Sequence, residues 1–157
     1  MDWKYTLKFR AFTLLRIPLI AFIGPVVEEI NTNKCIVRVP FRWRIKNQIG
    51  SMFFGVITTM ADTTHGFLLY KITESRSERV VAIIKEFQVN FLKRIEADAY
   101  FECADGAKIA ALFEKAALSG AREEEWMDIT VTVPSKFGSE PVAKCRLLVS
   151  MRKTANA

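Results

Sequence analysis

The chain has 157 residues, half of them hydrophobic and a quarter charged, enough for one domain with a sizeable core and too apolar for a disordered polymer. A net charge of +6 and an isoelectric point near 9.4 favour anionic partners: nucleic acid, an acidic membrane surface or a phosphate-bearing small molecule. Cys35, Cys103 and Cys145 are widely spaced, with no CxxC pair and a single histidine, which argues against a disulfide framework or a zinc site and predicts reduced, buried thiols in a cytoplasmic protein.

Residues 1–34 open with a basic, aromatic segment, WKYTLKFRAFTLLRIPLIAFIGPVVEEI. Arg16, Pro18 and Pro25 interrupt its apolar run, which falls short of the roughly 20 residues a membrane span requires. The segment predicts one or two amphipathic helices packed on the domain, with membrane contact as the less favoured alternative. From Cys35 to Lys46 the residues alternate. Cys35, Val37, Val39, Phe41, Trp43 and Ile45 point one way, while Arg38, Arg42, Arg44 and Lys46 line the other, so a strand with one basic, wet face is expected.

The stretch Asn47–Tyr70 reads as a glycine-containing turn followed by an apolar helix from Ser51 to about Ile72, with Ser51 as its N-cap. Apolar residues occur on every side of this helix, so it must be wrapped, and Asp62 in its middle is costly to bury unless it is hydrogen-bonded or used. A charged turn, ESRSER, leads to RVVAIIKEFQVNFL, a strand with Val81, Ile83, Phe87, Val89 and Phe91 on one face. Glu96–Cys103 is a further strand with Ala97, Ala99, Phe101 and Cys103 inward. Asp105 caps a helix over 106–119 that buries Ile109, Leu112, Phe113 and Ala116 and stops at Gly120. Met127–Val133 and Val142–Arg152 are the last two strands, and residues 153–157 form a frayed tail. The order predicts an α+β domain over 35–152, a five-stranded or larger antiparallel sheet around one long helix, preceded by a helical extension over 1–34.

This order resembles the hotdog fold, a curled antiparallel sheet wrapping a central helix. The stretch NQIGSMFFG followed by TMADTT is similar to the Asn-x-x-Gly-x-x-His-Gly-Gly signature of phenylacetyl-CoA (PaaI-like) thioesterases, which place an acidic residue in the central helix. Asn47, Gly50 and Gly55 match, and Asp62 stands at the acidic position. Phe53 and Phe54 occupy the places of the histidine and the first paired glycine. FQVNFLKRIEAD and KEFQVNFLKR with YFECADG are similar to further thioesterase-like segments of that superfamily.

The resemblance implies hydrolysis of an acyl-CoA or other acyl thioester, with no cofactor required and coenzyme A entering only as part of the substrate. It implies Asp62 as general base or nucleophile, Asn47 orienting the carbonyl or a water, Thr63 holding the carboxylate or the water, and backbone N–H groups near Phe54 and Gly55 as an oxyanion hole. Asn90, Lys93 and Arg94 are the expected binding residues for coenzyme A, with Phe54, and Arg42 or Arg44 are further phosphate candidates. Phe53, Phe54, Phe87 and Phe91 are candidates for an acyl tunnel or, equally, for core packing. A homodimer or dimer of dimers is implied, since one such domain does not close its groove alone.

Two alternatives stay open. Asp62 is otherwise a buried carboxylate satisfied by Thr58 and Thr59, and the protein is otherwise a non-catalytic acyl-CoA or lipid binder. His65 has no place in the motif and reads as structural. Nucleic-acid binding finds no ribonucleoprotein, helix-turn-helix or zinc signature to support it.

Overall fold

The computed structural model describes residues 1–154. Two helices open the chain, α1 (Trp3–Arg16) and α2 (Pro18–Ile23). Asp2 caps α1 by accepting from the Tyr5 amide at 3.2 Å, Pro18 starts α2 where its missing N–H costs nothing, and Gly24 ends α2 in the left-handed region at φ 73°. The strands are β1 (Val26–Ile30), β2 (Cys35–Val39), β3 (Val80–Phe91), β4 (Ala99–Cys103), β5 (Glu123–Thr132) and β6 (Pro141–Lys153). The long helix α3 (Phe54–Thr73) follows β2, α4 (Gly106–Ser119) separates β4 from β5, and the one-turn α5 (Pro134–Phe137) separates β5 from β6.

All six strands pair antiparallel in the order β1-β2-β4-β5-β6-β3, and the sheet wraps α3, as the hotdog resemblance implies. The alternation expected for β4, β5 and β6 is the one observed. Ala99, Phe101 and Cys103, then Met127, Ile129 and Val131, then Ala143, Cys145, Leu147, Val149 and Met151 are all buried. They meet Met60, Ala61 and Leu68 of α3, which are themselves removed from water. On α4 the buried set is Ile109, Leu112, Phe113 and Ala116, as the sequence spacing requires. The three cysteines are free and buried, and burial pushes the Cys103 and Cys145 thiols up to about 11, so none is a ready nucleophile.

Several expectations are corrected. The segment 1–34 is helical only as far as Ile23, because Val26–Ile30 adds a sixth strand beside β2. The strand expected over Cys35–Lys46 ends at Val39, before Pro40, and a single 3-10 turn over Trp43–Ile45 turns Trp43 outward while Ile45 stays buried. Ser51 does not cap α3. The N-cap is Phe53, without a side-chain cap bond, and the Ser51 hydroxyl lies within reach of the Asn47 side chain. In β3 the pairing with β6 shifts between Ile84 and Glu86, a bulge that reverses side-chain parity. Phe87 and Val89 therefore face the core as expected, but Phe91 at the end of the strand is exposed, and Val80 and Ala82 replace Val81 and Ile83, which are exposed as well. Asp105 precedes α4, yet its carboxylate accepts from the Asp128 amide of β5 at 2.6 Å instead of capping the helix. The tail expected to fray over 153–157 begins as structure, with Lys153 in β6 and Thr154 bonded to the Arg79 carbonyl at 3.0 Å; residues 155–157 lie outside the described residues.

The N-terminal helices are tied to this frame. Phe9 of α1 stacks on Phe67 of α3 with ring centroids 3.7 Å apart, and Tyr70 meets Phe9 edge-on at 5.5 Å. The Asp2 amide donates to the Val27 carbonyl at 2.8 Å, and the Thr6 hydroxyl accepts from the Val27 amide at 3.0 Å, so α1 also covers the outer edge of β1.

Candidate active site

Asp62 sits on the side of α3 that faces α1. The two helices and the start of β3 enclose an apolar cavity of about 840 Å³ whose walls include Phe9, Phe12, Ile20, Phe67 and Val80. The Asp62 carboxylate opens into this space with no hydrogen-bond or ion-pair partner among the described residues. Asp62 is solvent-exposed on its outer side, and the partial desolvation by the groups around it raises its pKa above the ordinary carboxylate value. A carboxylate placed this way is a stronger base than one in bulk water and carries no structural duty. Thr58 does not satisfy it, because the Thr58 hydroxyl donates to the Gly55 carbonyl at 3.1 Å. Thr63 lines the same cavity but is buried, with its hydroxyl donated to the Thr59 carbonyl at 2.7 Å, so it holds its own helix and not Asp62.

The remaining expected residues gather elsewhere. Asn47, Ser51, Phe53, Phe54, Ile57, Phe91, Leu92, Lys93 and Arg94 line a second depression of about 560 Å³ at the N-terminal end of α3. Phe54 and Gly55 are the first two residues of the helix, where backbone N–H groups have no intrahelical acceptor. The Phe53 ring folds back over this end: a Cβ at Gly55 would stand 2.5 Å from its edge. Asn47 shapes the loop before the helix. Its carbonyl oxygen accepts from the Ile49 and Ser51 amides, both at 3.1 Å, and Gly50 completes the loop at φ 79°. Eight residues separate Phe54 from Asp62, about 12 Å along the helix axis, so one chain does not bring the carboxylate to the free amides.

The expected phosphate-binding cations are partly engaged. Lys93 pairs with Glu140 at 2.5 Å and lies over the Phe137 ring, while Arg94 bonds the Ile49 carbonyl at 2.7 Å and pairs with Glu96. Asn90 is exposed on β3, opposite Lys144, and is not among the residues lining either space. Arg38 is consumed by Glu28 and Asp98. Arg44 donates to the Ile23 carbonyl at 3.3 Å and lies over the Phe22 ring of α2, and it lines neither space. Of the tunnel candidates, Phe91 reaches the second depression and Phe87 is half-buried against the core.

Sequence reasoning missed the cations around the first cavity. Lys8, Arg76 and Arg79 line it; Lys8 pairs with Glu74 and Arg76 with Glu114, whereas Arg79 has no ion pair among the described residues. The charged turn ESRSER was the available signal, but only the fold shows that it borders the same cavity as Asp62. His65, on the same helix, is buried, and desolvation lowers its pKa to about 4.

A family described as a domain of unknown function, DUF4442, matches residues 6–149. Among solved structures, a protein of unknown function and probable thioesterase from Pseudomonas aeruginosa is 24% identical, with a TM-score of 0.78 over 98% of this chain and 97% of that one. A protein of unknown function from Chlorobaculum tepidum is 15% identical, with a TM-score of 0.78 over 96% and 95%. A mutant thioesterase from Pseudomonas aeruginosa is 14% identical, with a TM-score of 0.69 over 98% and 96%. At these identities the likeness is one of fold. No curated protein matches the chain significantly. The chain belongs to the DUF4442 family, and its sheet-wrapped helix has the hotdog fold.

Proposed function

We propose that the protein hydrolyses an acyl thioester, an acyl-CoA or an acyl group on another carrier, in the manner of PaaI-like enzymes and as a homodimer. The observation that carries this reading is Asp62: an unpartnered carboxylate of raised pKa opening into a cavity of about 840 Å³ with apolar walls. The acyl chain occupies the cavity, and Arg79 meets the anionic carrier at its margin. Asp62 takes a proton from water as the water oxygen attacks the thioester carbonyl carbon. Negative charge collects on the carbonyl oxygen and is held by helix-end amides. The C–S bond then breaks, the thiolate takes the proton from Asp62, and a carboxylic acid and a thiol leave.

A second copy supplies those amides. The twelve residues of β3 pair with β6 on one side and present the other as an open edge. Joining two such edges antiparallel places the Val80 end of one strand beside the Phe91 end of the other. The Asp62 cavity includes Val80 and Val81, and the helix-end depression includes Phe91 and Leu92. The same pairing therefore sets each Asp62 cavity next to the helix N-terminus of the other chain.

Hydrolysis of an acyl-CoA panel by the wild type and by Asp62→Asn tests the assignment. Loss of at least about 100-fold in kcat with an unchanged fold is expected. Equal rates from the two proteins would remove Asp62 from the mechanism. The Phe53 ring over Gly55 favours one other reading, a non-catalytic acyl-thioester binder, which predicts tight binding and no turnover by either protein.

A further inference from the structure

The N-terminal helices present an apolar surface to the outside. Helix α1 seats itself on the domain through one stripe, Thr6, Phe9 and Thr13. At about 100° per residue, Leu7 and Leu15 fall on the opposite side, with Leu14 and Trp3 on the flank next to them. Trp3 is 56% exposed, Leu7 62%, Leu14 66% and Leu15 82%, and the exposed Leu19 and Phe22 of α2 continue the surface. Soluble monomers keep contiguous apolar patches small, and packing against the domain has left this one uncovered.

Its charge is as distinctive as its apolarity. Between Trp3 and Val27 there are four basic residues and no Asp or Glu. On the helical projection Lys4 lies within the apolar strip, between Leu7 and Leu15, with Lys8 at one margin and Arg10 at the other. Lys4, Arg10 and Arg16 form no ion pair among the described residues. We propose that this face docks the protein on the surface of an anionic phospholipid bilayer. Both helices lie in the interface plane, with Trp3 and the leucines entering the acyl boundary and the lysine and arginine heads reaching the headgroup phosphates. No helix of the described residues is long and apolar enough to cross a membrane, which agrees with a surface mode of attachment.

Charge complementarity selects this occupant over a second copy of the chain. A two-fold contact through this face would set the unpaired Lys4, Arg10 and Arg16 against their own copies, and Glu74, the acid beside Lys8, is already engaged by Lys8 and Lys71. A bilayer rich in anionic lipid supplies the opposite charge and the apolar phase together. Helix α1 is also one wall of the Asp62 cavity, so docking would place that cavity directly above the lipid. The proposal does not rest on thioester hydrolysis, because vesicle binding is measured without substrate.

Flotation of the full chain with phosphatidylglycerol-containing vesicles, against pure phosphatidylcholine vesicles, is the direct test. At least about tenfold preference for the anionic vesicles is expected, weakening as salt is raised. The Leu14→Asp/Leu15→Asp variant should lose at least about tenfold of this binding with its Tm unchanged, since both side chains are exposed. Lys4→Gln/Arg10→Gln should lose about 25-fold on anionic vesicles only, at about fivefold per cation. Failure of the wild type to float, or equal flotation of the leucine variant, overturns the proposal. A smaller sedimenting species for the leucine variant also overturns it, by making this face a contact between chains.

Discussion

His65 offers the clearest electrostatic test at the level of single residues. It is buried in α3, its Nε2 has no hydrogen-bond partner, and its pKa falls to about 4 because burial disfavours the imidazolium. The Asp105 charge pulls the other way and is outweighed. The sign is fixed by which state holds the proton. Between about pH 6.5 and 4 the unfolded chain protonates this histidine and the folded chain does not, so stability falls as the pH drops through that window. The full shift corresponds to about 3 kcal/mol. Denaturant titrations from pH 7 to 4.5 should show this decline in the wild type and a much flatter profile in His65→Gln. Equal slopes would assign the decline to carboxylates. Asp62 has the opposite sign. Its raised pKa penalises the fold when it is ionised, and the penalty is relieved as the pH falls through the folded-state value, so Asp62→Asn should not destabilise the protein.

At the level of elements, two helical glycines with opposite surroundings make a matched pair. A Cβ on Gly106, the first residue of α4, would lie 2.1 Å from the Thr32 carbonyl oxygen and 2.6 Å from the Asn33 Cα, which are backbone atoms. Gly106→Ala should cost about 3 kcal/mol, because the β1–β2 turn must move away from α4. A Cβ on Gly66, inside α3, meets nothing within 4 Å. Gly66→Ala should stabilise by about 0.5–1 kcal/mol through helix propensity. Thermal unfolding of the two variants checks both signs, and a stable Gly106→Ala would show that the turn gives way easily. The same scale explains what could be read in advance. The faces of β4, β5 and β6 were legible because each strand packs one side on α3 and period two survives along it. The bulge in β3 was not, since one extra residue leaves composition unchanged while reversing every side chain before it. Val26–Ile30 escaped notice because five residues after a Gly-Pro carry too little alternation to stand apart from the helices preceding them.

The candidate site was legible only in part, for a reason that belongs to the whole molecule. Asp62 could be singled out as an acid in an apolar helix. Its cavity is walled by α1, some fifty residues earlier, and the cations of that cavity come from α1 and from the turn after α3, so neither is encoded beside it in sequence. Asn47 and Gly50 were correctly placed at a turn, but the Asn47 carbonyl is already occupied by that turn. The distance along α3 between Asp62 and the free amides also gives a prediction for the assembly. Asp62→Asn and Gly55→Pro, which deletes one helix-end amide, should each be inactive alone. Mixed in equal amounts and allowed to exchange subunits, they should recover about a quarter of wild-type activity, because half the dimers carry one intact site out of two. No recovery, with both variants folded by Tm, would place the whole site within one chain.

The cover over β1 has a consequence for growth. With the Asp2 amide and the Thr6 hydroxyl occupying the Val27 backbone, the β1 border is blocked at its centre by α1, and among the described residues the β3 border is the one left open along its length. A sheet with a single receptive border can join once and then has nothing left to extend. Edge-to-edge association through β3 would therefore terminate at a pair and not propagate into a fibre, a safeguard supplied by the first helix of the chain.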